Sequence, residues 1–359
     1  MHRGWLAIPM AAVLVATVSL SACSGDEGGD AAAAKTIALF LPESKTTRYE
    51  AFDRPIFEAK VKALCADCKL LYFNADQDAA KQQQQVEAAL TQGADVLVLD
   101  AVDAAAVAPL VNQAKQKKVP VIAYDRLISG IDYAYYVSFN NVRVGEMQGQ
   151  ALLDALTAKG NAGKGQVVFI NGSPTDPSSA DYKKGAHSIL DGKVTVGREF
   201  DTPDWSPDKA QQQMEQAITA LGRDNITGVL SANDGMAGGA IAAMKRAGFA
   251  ALPPITGQDA ELAALQRILT GEQYMTIYLD IRAEAEKSAE LAVALVNGQQ
   301  PAAATTVDNG TAKIPAFLLD PIAVTADKIK GTIVKDGFYK ASEICTAEVA
   351  AACTKQGIS

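Results

Sequence analysis

Residues 94–126 read ADVLVLDAVDAAAVAPLVNQAKQKKVPVIAYDR. Ala94–Leu99 is apolar except for Asp95 and too short for a helix, so it reads as a strand buried on both faces. Ala104–Lys117 carries helical spacing, and Pro120–Tyr124 is a second apolar strand. A helix between two such strands returns the chain to the edge it left, which is the parallel β-α-β connection.

The same alternation extends in both directions. Upstream lie a strand at Thr36–Leu41, a helix at Glu50–Leu64, a strand at Lys69–Phe73 and a helix at Ala79–Gln92. Downstream, Tyr135–Phe139 is a further short strand. A second series then begins. Its helices are expected at Asn141–Ala158, Ser178–Leu190, Pro207–Leu221, Ala237–Ala247, Ala260–Leu269 and Ile281–Val296. Its strands are expected at Gln166–Ile170, Val194–Phe200, Thr227–Ser231, Ile255–Gly257 and Tyr274–Tyr278. Two successive β/α series predict an α/β fold of two doubly wound parallel-sheet lobes with a cleft between them.

Composition narrows the function. The 359 residues are 48% hydrophobic and 21% charged, which suits a globular chain and excludes extensive disorder. A formal charge of −8 offers no surplus of cations for phosphates, so nucleic acid is not an expected partner. Two histidines, His2 and His187, are too few for a multi-histidine metal site, and neither a metal nor a cofactor is expected. His187 reads as a partly exposed helix residue, Gln82–Gln85 as a solvated helix face, and Gly238-Gly239 as a close helix contact.

The first 22 residues read as an export signal, with a polar start followed by the apolar stretch Leu6–Leu20. Leu20-Ser21-Ala22-Cys23 resembles the bacterial lipobox, in which the cysteine is lipidated and becomes the new N-terminus. Residues 23–34 then form a small, glycine-rich tether. The expected location is the extracytoplasmic face of the cell membrane, with the lipid as the only membrane contact. Four cysteines remain in two local pairs, Cys65/Cys68 and Cys345/Cys353. In an exported chain these read as two short-range disulfides. A C-x-x-C also matches a redox motif or half a zinc site.

In open α/β sheets, ligands bind beyond the carboxyl ends of the strands. Here those ends carry Asp100, Tyr124-Asp125-Arg126, Asn171, Asn233-Asp234 and Gln258-Asp259. Carboxylates, amides and a guanidinium each engage neighbouring hydroxyls, which suits a polyol. Tyr49 and Trp205 are candidates to cover the C–H face of a sugar. Singly, each Asp or Asn is also a helix N-cap candidate.

VIAYDRLI (121–128), SFNNVRVGEMQ (138–148), GSPTD (172–176), SANDGMAGGAI (231–241), TGQDAEL (256–262) and IKGTIVKDGFYK (329–340) together resemble the type I periplasmic sugar-binding proteins of ABC importers, and most of all their xylose-binding branch. The resemblance spans roughly residues 35–345. It implies a receptor that delivers a monosaccharide to a permease, with no enzymatic step. It also implies sugar contacts from Arg48, Tyr49, Asp125, Arg126, Asp176, Trp205, Asn233 and Asp259. Two departures, Pro177-Ser178-Ser179 after Asp176 and Leu279 where the branch has lysine, leave a xylose-like pentose and a hexose both open.

The implied domain plan has an N-terminal lobe of residues 35–141 and 281–319 and a C-terminal lobe of 142–280 and 320–359. The chain would cross near 139–142, 279–281 and 318–320, and act as a monomer. An enzyme built on Asp125, Asp176 and Asp259 is a rival reading. So is a sugar-sensing module that presents its ligand to a membrane receptor. A sugar-responsive repressor would need a DNA-binding helix pair where the export signal stands.

Overall fold

A computed structural model describes residues 34–358. The export signal, Cys23 and the tether before Ala34 lie outside them. The first sheet is built from β1 (Thr36–Leu41), β2 (Lys69–Asn74), β3 (Val96–Leu99), β4 (Val121–Tyr124) and β5 (Tyr135–Phe139). Helices α1 (Arg54–Leu64), α2 (Ala79–Thr91) and α3 (Ala108–Gln116) connect the first four strands. The chain then runs through α4 (Asn141–Ala158), β6 (Gln166–Asn171), α5 (Pro177–Leu190) and β7 (Val196–Asp201). It continues through α6 (Pro207–Leu221), β8 (Ile226–Ser231), α7 (Asp234–Arg246), α8 (Leu262–Thr270) and β9 (Thr276–Tyr278). After α9 (Ile281–Val296) it returns to the first sheet as β10 (Thr305–Asp308) and β11 (Lys313–Leu319), and β12 (Ile322–Val324) pairs with β9.

The first sheet has the order β10-β11-β5-β4-β3-β1-β2 and is parallel except for β10. Side chains alternate across it as a pleat requires. Val96 and Val98 join the core under α1 and α9, while Leu97 and Leu99 join the core under α2 and α3. The second sheet, β7-β6-β8, repeats this, with Val167 and Phe169 on the α4/α5 side and Val168 and Ile170 on the α6/α7 side. Residues 329–358 contribute Ile333, Phe338, Ile344 and Ile358 to that second core.

Close helix packing depends on two glycines. A methyl group on Gly145 would sit 1.9 Å from the Tyr182 carbonyl, so α4 and α5 meet backbone to backbone. Likewise, a methyl on Gly239 would lie 2.2 Å from the Pro207 carbonyl, which brings α7 against α6. Disulfides join Cys65 to Cys68 after α1, and Cys345 to Cys353 across the C-terminal turns. Among the described residues no helix is long and apolar enough to cross a membrane.

Several expectations need correction. Helix α7 starts at Asp234, a turn before Ala237, because the Asn233 side chain accepts from the Met236 amide. Helix α3 starts at Ala108 instead of Ala104, and α8 at Leu262 instead of Ala260. The strand expected at 255–257 makes one ladder bridge, Val229 to Ile255. Strands β10, β11 and β12 were not anticipated from the pattern. Gln82 does not belong to a solvated face: it is fully buried, donating to the Asp100 carbonyl and accepting from the Val102 amide.

Candidate ligand-binding site

The carboxyl ends of both sheets open onto one small internal cavity. From the first sheet it is lined by Thr46, Arg48, Tyr49, Asp125 and Arg126. From the second it is lined by Asp176, Tyr182, Trp205, Asn233, Gln258 and Asp259. All eight residues named from the sequence therefore lie on a single surface. Four other strand-end candidates do not, and one of them, Tyr124, donates its hydroxyl to Asp53. Asn171 donates to Glu199 and Asp201, and Asp234 accepts from Gln273, Thr276 and the Glu261 amide. Asp100 lies fully buried behind Arg126.

Each lining group is held by a local cause. The Arg48 guanidinium bonds Asp53 through Nε at 3.1 Å and Nη2 at 2.8 Å, and Glu284 of α9 at 2.7 Å. Its Nη1 donates to Asp125 at 3.2 Å. Arg126 donates to the Ala101 carbonyl at 2.9 Å and to the Tyr49 hydroxyl at 3.2 Å. The Arg126 Nε lies 3.0 Å from Asp176 Oδ2, an ion pair between the two sheets, although its N–H does not point along that line. Asp176 caps α5 through Oδ1 and accepts from the Trp205 indole through Oδ2 at 3.2 Å. Asn233 uses its carbonyl oxygen as the cap of α7, which leaves its amide NH₂ without a protein acceptor among the described bonds. Asp176 and Asn233 thus cap helices and line the cavity at once.

Backbone strain marks the same place. Asp125, Trp205 and Asp259 have φ values of +60°, +53° and +92°. Left-handed backbone is uncommon for such residues and gathers where a structure over-determines a functional geometry. Asp259 caps no helix: α8 begins later, and the Asp259 carboxylate accepts one bond, from Gln258 Nε2 at 3.3 Å.

Burial dominates the electrostatics. It raises Asp100, Asp176 and Glu284 above the usual carboxylate range, against the pull of Arg126 on the first two and of Arg48 on the third. Asp259 is pushed by burial up to about 7, opposed by Arg48. Thr46, Tyr182 and Gln258 line the cavity without having been named as site residues. Gln258 stood beside Asp259 at a strand end and Thr46 beside Arg48. Tyr182, in mid-helix, left no signal in one dimension.

Contacts outside the cavity also join the halves. Thr175 Oγ1 donates to the Val102 carbonyl at 3.2 Å, and the Phe52 ring stacks on Phe338 with centroids 4.2 Å apart. Buried polar groups around a small enclosed space, drawn from two sheets, can hold a compact molecule with many hydroxyls.

A periplasmic binding protein domain model matches residues 37–300. The D-xylose-binding periplasmic protein of Escherichia coli (strain K12) is 37% identical over 313 residues, covering 86% of this chain and 92% of that protein. A multiple sugar-binding periplasmic receptor of Rhizobium radiobacter is 31% identical over 354 residues, covering 93% and 97%. An ABC transporter solute-binding protein from Clostridium phytofermentans, solved with bound β-D-glucose, superposes with a TM-score of 0.80 at 28% identity, over 86% of this chain and all of that one.

Proposed function

The chain belongs to the periplasmic binding protein family, and on that premise we propose that it captures a neutral aldopentose or aldohexose by cleft closure and delivers it to an ABC importer permease. The observation that carries this reading is the convergence of all eight sequence-named residues, from both sheets, on one cavity.

Each half supplies part of the grip. Arg48 and Arg126 keep N–H groups beyond those their protein partners use, and these donate to sugar oxygens. Asp125, Asp176, Asp259 and the Gln258 carbonyl oxygen accept from hydroxyls, and Tyr49 and Trp205 wall the ring. The lobes are residues 35–141 with 281–319, and 142–280 with 320–359, hinged near 139–142, 279–281 and 318–320. A ligand that touches both lobes favours the closed form by its differential affinity. Cys23 carries the lipid that holds the protein on the extracytoplasmic face, where a monomer meets the permease.

A thermal-shift screen over pentoses, hexoses, amino acids and nucleosides tests the reading. A neutral monosaccharide gives the largest shift, about 2.7 kcal/mol at 100 times its dissociation constant. Arg126→Ala weakens that sugar about 10-fold or more, the loss of at least one charged hydrogen bond. Shifts confined to amino acids or nucleosides would overturn the assignment. Mass spectrometry of the membrane fraction tests the anchor, and an unmodified Cys23 there would remove it.

A further inference from the structure

The cavity lining is rich in acceptors and carboxylates. Arg48 is shared among Asp53, Asp125 and Glu284, and Arg126 lies between Asp100 and Asp176. Both guanidinium charges are thus already engaged by protein carboxylates. Asp259 remains: it lines the cavity, it is 6% exposed, and no cation stands within ion-pair distance of it among the described residues. Beside it, the Gln258 side-chain oxygen is buried, with no hydrogen-bond partner, on a residue that lines the same cavity and is 5% exposed.

Two neighbouring acceptors, one charged and one orphaned, therefore face the ligand space. A hydroxyl brings one hydrogen. An ammonium brings two or three, together with a positive charge at contact distance, which Asp259 lacks among the described residues although Arg48 acts on it from farther off, and charge-assisted bonds are about twice as strong as neutral ones. We propose that the cavity accepts amino and imino sugars, monosaccharides in which one hydroxyl or the ring oxygen is replaced by a protonated nitrogen, and prefers them to the neutral parent, with Asp259 as the pairing carboxylate. The inference rests on the monosaccharide reading and extends its ligand class. The converse also follows: a uronate or sugar phosphate finds no unengaged cation in the cavity and is rejected.

Titration calorimetry of the full chain at pH 7.5 tests this. The ligands are the best neutral sugar from the screen, its single-position deoxyamino derivatives, its ring-imino analogue and its uronate. At least one cationic analogue binds about 10-fold tighter than the parent, a gain of one charged pair, and the uronate binds more weakly than the parent. In Asp259→Asn, which tolerates the same left-handed backbone, the neutral sugar is weakened by the loss of a carboxylate acceptor, the cationic analogues are weakened more, and the cationic gain over the parent disappears. Amine analogues that bind no tighter than the parent would overturn the proposal, as would a gain that survives in Asp259→Asn. Binding of an amine with no binding of any neutral sugar would overturn the neutral-sugar reading alone. Binding of neither overturns both.

Discussion

Asp259 concentrates the chemistry of this protein at the scale of one residue. Its carboxylate is buried, its backbone is left-handed, and burial raises it to about 7. An unfolded aspartate titrates near pH 3.9. Between about pH 4 and 7 the folded chain therefore holds a proton that the unfolded chain has released, so this residue's contribution to stability falls as pH rises through that window. Asp259→Asn removes the buried charge and keeps the shape. Calorimetric melting of the sugar-free protein should find the variant much closer to wild type near pH 4.5 than at pH 8, where it is clearly the more stable. A gap of equal size at both values would mean that the carboxylate is not neutral when folded. Arg48 follows a different logic. It is desolvated, but Asp125, Asp53 and Glu284 hold it charged. Its partners Asp53 and Glu284 do not line the cavity, so they aim a guanidinium that does.

Trp205 depends on a residue outside the cavity lining. Gly172 follows β6, and a methyl group there would sit 2.0 Å from the Trp205 ring. The indole thus lies directly on the backbone at the strand's end, with its N–H turned to Asp176. Gly172→Ala should push the ring from the cavity wall. Trp205 is the only tryptophan among the described residues, so its fluorescence reports the outcome. The sugar-induced fluorescence change should shrink, and the dissociation constant should rise about 10-fold, in line with the loss of an aromatic wall and its hydrogen bond. An unchanged response in a folded Gly172→Ala protein would show that the ring has another seat. The same reasoning applies to α4 and α5. Their backbone contact at Gly145 brings Tyr182 into the cavity from mid-helix.

At the scale of the whole molecule, the cavity exists only where the edges of the two sheets meet. Contacts that join the halves include Arg126 with Asp176, Thr175 with Val102 and Ala104, and Phe52 on Phe338 and Tyr339. Neither Phe52 nor Phe338 lines the cavity, so this pair can separate closure from recognition. An aromatic pair is worth about 0.5–1.5 kcal/mol. If closing is coupled to binding, Phe52→Ala weakens every sugar by the same factor, about 2- to 10-fold, without changing their rank order. Calorimetry over three sugars checks this. A change of rank order would assign Phe52 to recognition, and no change at all would remove it from the closed form.

The alternation around residues 94–126 was enough to read the α/β class, because a strand buried on both faces and an amphipathic helix differ in period and length. The strand-end rule, joined to the family resemblance, was enough to name eight cavity residues. That reading stopped where contact depends on distance across the fold. Gln82 looked solvated within a glutamine run, yet its amide fills a buried gap between Asp100 and Val102. Asp100 and Asp234 matched the strand-end pattern as well as Asp125 did, but face protein and not the cavity. Strand β10 is short and mostly polar, and Pro315 interrupts the apolar run of β11, so neither reads as a strand in one dimension; partners from the far side of the chain define them. One-dimensional pattern carries what each residue prefers locally. Which polar groups share one guanidinium, and which are left facing empty space, was decided only when two sheets brought distant residues within hydrogen-bond reach.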